Sequence, residues 1–165
     1  MTARATECVC RGFGIVGSGV FLGMTLSVSS VTLPMILRQR TIKPRERVEL
    51  FKDMYELTVA RWLPIGVLAS LSYFAAAYFA PAHSGRHAKS VLFAAGAAMI
   101  SIAPCTLLFV MEHVTKLKGY LKLADSAFPS NEEVLTALRR WGRMHVTRTV
   151  CAGAAFALGL YNLMS

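Results

Sequence analysis

Long stretches with no charged side chain alternate along this chain with shorter stretches crowded with them. Phe13 to Leu37, Leu63 to Ala80, Ser90 to Met111 and Thr149 to Met164 contain no Asp, Glu, Lys or Arg. A helix crossing a bilayer needs roughly 20 apolar residues, with about 17 to 25 tolerated. The first and third runs reach that length unaided. The second reaches it with Trp62, Pro81 and Ala82, and the fourth by taking in Arg148 and His145. The pattern predicts an all-α fold: an integral membrane four-helix bundle forming a single domain over residues 1–165. The expected spans are 13–37, 62–82, 90–112 and 142–164.

The polar connections carry patterns of their own. From Pro44, the residues Val48, Phe51 and Tyr55 make an apolar stripe at helical spacing, while Arg45 with Glu49 and Lys52 with Glu56 stand four apart on the wet side. This predicts an amphipathic helix between spans one and two. It is expected to lie along the membrane interface and run on into the second span, with Trp62 as an interfacial anchor. Pro34 should kink or end the first helix, and Pro104 should bend the third around a cavity. Tyr73, Phe74, Tyr78 and Phe79 form an aromatic belt before Pro81, and a turn through His83, Gly85, Arg86 and His87 comes next. Ser130 and Glu133 have capping-box spacing, so a long fourth helix should run unbroken to about Met164.

Composition agrees with a membrane. The chain is 55% hydrophobic and only 16% charged, with mean hydropathy +0.48, whereas soluble domains carry charge at about a quarter of positions. Four spans leave no room for a separate soluble domain. The net charge of +9 would suggest nucleic acid as a partner in a soluble protein, but here the basic residues flank apolar spans. The expected partner is the lipid bilayer, and nucleic acid is not expected. Nearly all Lys and Arg fall in the connections between spans one and two and between three and four. The opposite side has only Arg4, Arg11, Arg86 and Lys89, so both termini should face away from the cytoplasm or the matrix. The endoplasmic reticulum and the mitochondrial inner membrane fit equally. Residues 1–11 read as neither transit peptide nor cleavage site, and Cys8, Cys10, Cys105 and Cys151 read as structural.

Gly12-Phe13-Gly14-Ile15-Val16-Gly17 has the glycine spacing of a dinucleotide loop, but no strand precedes it, so a nucleotide site is not expected. Close helix packing explains the glycines better. Gly19, Gly23 and Ser27 recur every four residues and would let a second membrane helix, including one from a partner protein, approach backbone to backbone.

The strongest chemical signal lies where the last run begins. Trp141, His145 and Arg148 are four and three residues apart and stack on one helix face. Polar side chains at membrane depth usually face the bundle interior or a wet cavity. Glu112 and His113 end the third span at a similar depth, so a cluster with His145 and Arg148 is expected. One reading of these residues is catalytic. The other is structural: Trp141 as an anchor, Arg148 as a snorkelling cation or the partner of Glu112 in a register-fixing pair, and His145 as a packing residue.

The order of a Gly-rich first span, Trp62 opening the second, Ser101-x-x-Pro104-x-Thr106-Leu107-Leu108 in the third and Trp141-x-x-x-His145-x-x-Arg148 in the fourth resembles the anthrone-oxygenase-like family of small four-helix membrane proteins. It departs from the family after the third span, where Met111-Glu112-His113-Val114-Thr115 stands in place of a Pro-Thr-Asn turn. The resemblance implies oxidation of a polycyclic aromatic substrate, an anthrone, to an anthraquinone by O₂, with no flavin, haem, metal or other cofactor. It implies His145 as base, Arg148 as oxyanion stabiliser, Glu112 as the partner of either, Trp141 and Trp62 as ring-stacking walls, and Pro104 as the shaper of the substrate pocket. The alternative is a non-catalytic accessory subunit of a larger membrane assembly, such as a mitochondrial respiratory complex. A transporter fits less well, because four spans without an internal repeat would have to oligomerise.

Overall fold

Helices account for nearly all of the computed structural model, which describes residues 2–81 and 85–165, and no strand occurs among the described residues. Of the expected turn, His83 lies outside them, while Gly85, Arg86 and His87 already belong to the next helix rather than to a turn. The first rod is α1 (Ala3–Ser27), a π-helical turn (Val28–Thr32) and α2 (Leu33–Arg38). Pro34 brings no N–H for the preceding turn, and the wider π-turn accommodates it by passing the Leu33 N–H to the Val28 carbonyl. The rod ends where Gln39 turns extended. The second rod is one helix, α3 (Pro44–Phe79). The third comprises α4 (Gly85–Ile100), α5 (Ile102–Cys105), a second π-turn (Thr106–Val110) and α6 (Met111–Tyr120). A short 3₁₀ turn (Asp125–Ala127) leads to α7 (Asn131–Met164), the predicted long fourth helix.

Three of these rods are long and apolar enough to cross a membrane: Ala3–Arg38, Pro44–Phe79 and His87–Tyr120. The region expected as the fourth span, 142–164, is less apolar because its inward face carries His145, Arg148 and Asn162, all buried. Its outward face still shows Val146, Val150, Tyr161 and Leu163, and α7 packs against α1 and α4.

The core has two parts. In the half bearing the expected spans, Phe21, Ala69, Tyr73, Leu92, Met99 and Ala155 pack together. Towards the charged side, Val48, Phe51, Val114, Leu117, Leu138 and Trp141 form a second cluster. That second cluster corrects one expectation. The stripe of Val48, Phe51 and Tyr55 is buried against α6 and α7 rather than laid on a lipid surface, and the amphipathic segment is the first half of α3. The third rod and α7 also continue past the apolar runs, so the stripe finds protein partners. Pro64, the one helix breaker inside α3, removes a single hydrogen bond without ending it.

Arg47 ties the first rod to the second. Its buried guanidinium donates to the carbonyls of Ile36 (3.0 Å), Leu37 (3.1 Å) and Gln39 (2.6 Å), satisfying the orphan carbonyls at the end of α2. Arg47→Ala is expected to cost roughly 3 kcal/mol, since hydrogen bonds to charged groups are among the stronger ones. An SDS-titration midpoint for the purified protein reads it directly, and a midpoint equal to wild type would refute the latch.

The capping box of α7 is in place. Ser130 Oγ accepts from the Glu133 N–H, and the Glu133 carboxylate accepts from the backbone N–H and hydroxyl of Ser130. Those bonds hold the Glu133 carboxyl below its usual range. A depressed carboxylate adds stability above its unfolded pKa and loses it as pH falls through the folded one. Ser130→Ala should therefore lower Tm by about 2–4 °C at neutral pH. Part of that gap should close in acid, which a pair of thermal melts measures.

Within the chain, the close helix contacts use the expected seam only at Gly19. A Cβ on Gly14 would come within 2.8 Å of the Tyr73 ring and one on Gly17 within 2.9 Å of Ala69 Cβ, so these two glycines let α1 approach α3. Gly19 packs on Phe156 of α7, while Gly23 has open space around it and Ser27 is exposed. The inward face of α1 runs through Gly14, Ser18, Phe21 and Thr25. The series 19, 23 and 27 is offset from it by one residue or more, about 100° of rotation per residue.

Candidate functional site

Trp141, His145 and Arg148 are all buried on the inward face of α7, as their spacing predicts. The Trp141 and His145 rings stack at 5.0 Å with 21° between planes, and Phe51 meets Trp141 edge-on at 4.9 Å. Neither imidazole nitrogen of His145, nor Trp141 Nε1, has a hydrogen-bond partner. The Thr25 backbone lies beside the imidazole, outside hydrogen-bond geometry.

Arg148 is placed differently. Its Nε donates to Thr106 Oγ1 at 3.0 Å, and Thr106 in turn donates to the Ile102 carbonyl at 2.7 Å. The guanidinium carbon sits 6.0 Å from the centre of the Tyr55 ring, whose hydroxyl donates to Met111 Sδ at 3.3 Å. Arg148 is 6% exposed, and among the described residues no carboxylate pairs with it. A buried cation without an anion is costly at membrane depth. It borders a cavity of about 290 Å³ lined by α1, α3 and the third rod. Trp62 and Phe21 supply apolar wall, while Tyr55, Thr106 and Arg148 make a polar end.

Of the expected site residues, Arg148 and Trp62 line this cavity. Trp141 and His145 do not; they lie in the packed core next to it. Glu112 is exposed and, among the described residues, forms no ion pair, so the expected cluster with His145 and Arg148 does not form. Similar depth does not give a shared face: the π-turn at Thr106–Val110 brings Met111 to the cavity, and Glu112, one residue and about 100° further round α6, faces outward. Pro104 is exposed and is not part of the wall. Its effect is indirect, because it leaves the Ile100 carbonyl without its helical donor just before the π-turn that carries Thr106 inward. Sequence reasoning missed Tyr55 and Thr106. Tyr55 was legible only as part of an interfacial stripe, and Thr106 only as a letter in the Ser-x-x-Pro-x-Thr string.

Residues 51–158 match the anthrone oxygenase family. The chain belongs to that family. The matched region includes α3 from Phe51 onward, the whole third rod and α7 as far as Leu158, so it takes in Tyr55, Trp62, Thr106 and Arg148. The wall residue Phe21 comes from α1, outside it. No curated protein and no solved structure matches the chain.

Proposed function

We propose that this protein is a cofactor-independent oxygenase that converts an anthrone to the corresponding anthraquinone with O₂. The observation that carries the reading is a buried, carboxylate-free guanidinium at the polar end of an apolar cavity. Loss of the acidic C–H proton from the anthrone gives an enolate whose negative charge resides largely on oxygen. Arg148 faces that oxygen and lowers the cost of forming the anion. The electron-rich carbon then reduces O₂, forming a C–O bond to a peroxide anion, which takes back the proton held by the base and becomes a hydroperoxide. Loss of water from the hydroperoxide leaves the second carbonyl, so one anthrone and one O₂ give one quinone and one water. Trp62 and Phe21 flank the rings.

With the anion stabilised, a weak base suffices for the carbon acid. His145, one turn back along α7 with both ring nitrogens unpartnered and its ring oriented by stacking on Trp141, lies outside the cavity lining and is that base through one bridging water. Arg148 makes the direct contact with substrate on this reading. The test is quinone formation and O₂ uptake by purified protein in lipid vesicles, compared with vesicles alone. A one-to-one ratio of O₂ to quinone above background supports the oxygenase. Background turnover, with stoichiometric recovery of the protein in a large assembly, would put the accessory-subunit reading in its place.

A further inference from the structure

We infer that the cavity is loaded sideways from the bilayer through a window between α3 and the third rod. Its ligand is a planar, membrane-dissolved molecule with one hydrogen-bond-accepting or anionic oxygen at its inner end. The inference rests on the proposed function for the chemistry after binding, but the window is a property of the packing alone.

The two rods touch on both sides of the cavity and part at its level. α3 packs against α4 and against α6, yet no Cα of residues 102–110 comes within 8 Å, Cα to Cα, of α3. The stretch that stands away is the one reshaped by Pro104 and the π-turn. Leu63, Val67, Ile100 and Leu107 border the cavity and are all exposed. They belong to the charge-free runs, so lipid is what they meet. Arg61 precedes Val67 by six residues, about 9 Å of helix rise, so the window opens just beneath the head groups. An aromatic molecule with one polar oxygen concentrates at that level.

The other route is closed. Towards the charged side the core is filled by Val48, Phe51, Val114, Leu117, Leu138 and Trp141, each at most 1% exposed. A ligand arriving from water would have to displace that cluster. At the inner end, Arg148 offers a planar guanidinium with no acidic partner, which suits one oxygen acceptor and leaves the apolar body in contact with Trp62.

Anthraquinone dissolved in the vesicles serves as a probe, because it is not consumed and it quenches tryptophan. The full-length protein is mixed rapidly with probe-loaded vesicles and Trp62 emission is followed, with Trp62→Phe as the blank. Val67→Phe and Ala103→Phe place bulk at two exposed positions of the cavity edge. The pair is expected to slow association at least tenfold with helicity unchanged by circular dichroism, while Arg148→Gln weakens equilibrium binding at least tenfold. Association at the wild-type rate in the rim variants, or no saturable quenching in wild type, overturns the inference. Rim-dependent binding without turnover upholds it and removes the oxygenase reading, whereas turnover indifferent to the rim variants does the reverse.

Discussion

Arg148→Gln is expected to lower the rate of quinone formation by about 10²–10³-fold, the usual cost of removing one preorganised donor aimed at a developing oxyanion. The loss should fall on kcat more than on KM, because the full negative charge exists only after the proton has left. Arg148→Lys keeps the charge but not the planar fork that holds one nitrogen on Thr106 and turns the others to the cavity, so an intermediate rate is expected. Stability is the decisive second readout. If Arg148 served as one half of a structural ion pair, removing it would strand a buried carboxylate and lower Tm sharply. No carboxylate pairs with it among the described residues, and Glu112, the expected partner, is exposed. Arg148→Gln should therefore melt at or above the wild-type temperature while losing its rate. A variant that keeps its rate and melts much lower would overturn the assignment and return Arg148 to a packing role.

The features that could be read from the sequence depend on helical period and on the absence of charge. The charge-free runs located the apolar rods, and the four-and-three spacing of Trp141, His145 and Arg148 correctly predicted one buried face. Ser130 with Glu133 located the start of α7 for the same kind of reason, since a capping box is a local arrangement of two side chains. The features that escaped depend on register between helices. Glu112 shares the depth of His145 and Arg148 but not their face: it stands one residue past the inward Met111 and points outward, and depth alone does not tell the two apart. Among the small residues of α1, spacing singles out Gly19, Gly23 and Ser27. Only contact with Tyr73 and Ala69 distinguishes the Gly14 and Gly17 pair from the outward Gly23 and Ser27. The cavity itself was legible only as a bend expected near Pro104. Its position between Tyr55, Trp62 and Arg148 is set by where α3 and the third rod separate, which no single helix encodes.

Gly159→Ala should be the most damaging single-methyl addition in the bundle, and Tyr73→Phe should relieve part of its cost. Tyr73 is fully buried between α1 and α7. Its hydroxyl lies 2.9 Å from Ser18 Oγ and donates to the Ala155 carbonyl at 3.2 Å, so the ring is pinned at its tip. A Cβ on Gly159 would collide with that hydroxyl and come within 2.9 Å of Ile15 Cγ1. A flexible side chain would swing aside, but a ring held by two hydrogen bonds moves only if the helices do. Overpacking of this kind costs typically about 1–3 kcal/mol. Tyr73→Phe alone loses about 1 kcal/mol of hydrogen bonding, but it removes the atom in the closest contact. Gly159→Ala in the Tyr73→Phe background should then cost less than in wild type, by a coupling of about 1 kcal/mol. Gly23→Ala is the control: nothing lies within 4 Å of its Cβ position, and alanine's better helix propensity makes the change neutral or slightly stabilising. SDS-titration midpoints for the four members of the cycle decide the matter. Equal costs of Gly159→Ala in the two backgrounds would mean that the Tyr73 hydroxyl does not set the spacing of α1, α3 and α7. A finite coupling would make it the fixed point against which α7 presents Arg148 to the cavity, three turns along the same helix face.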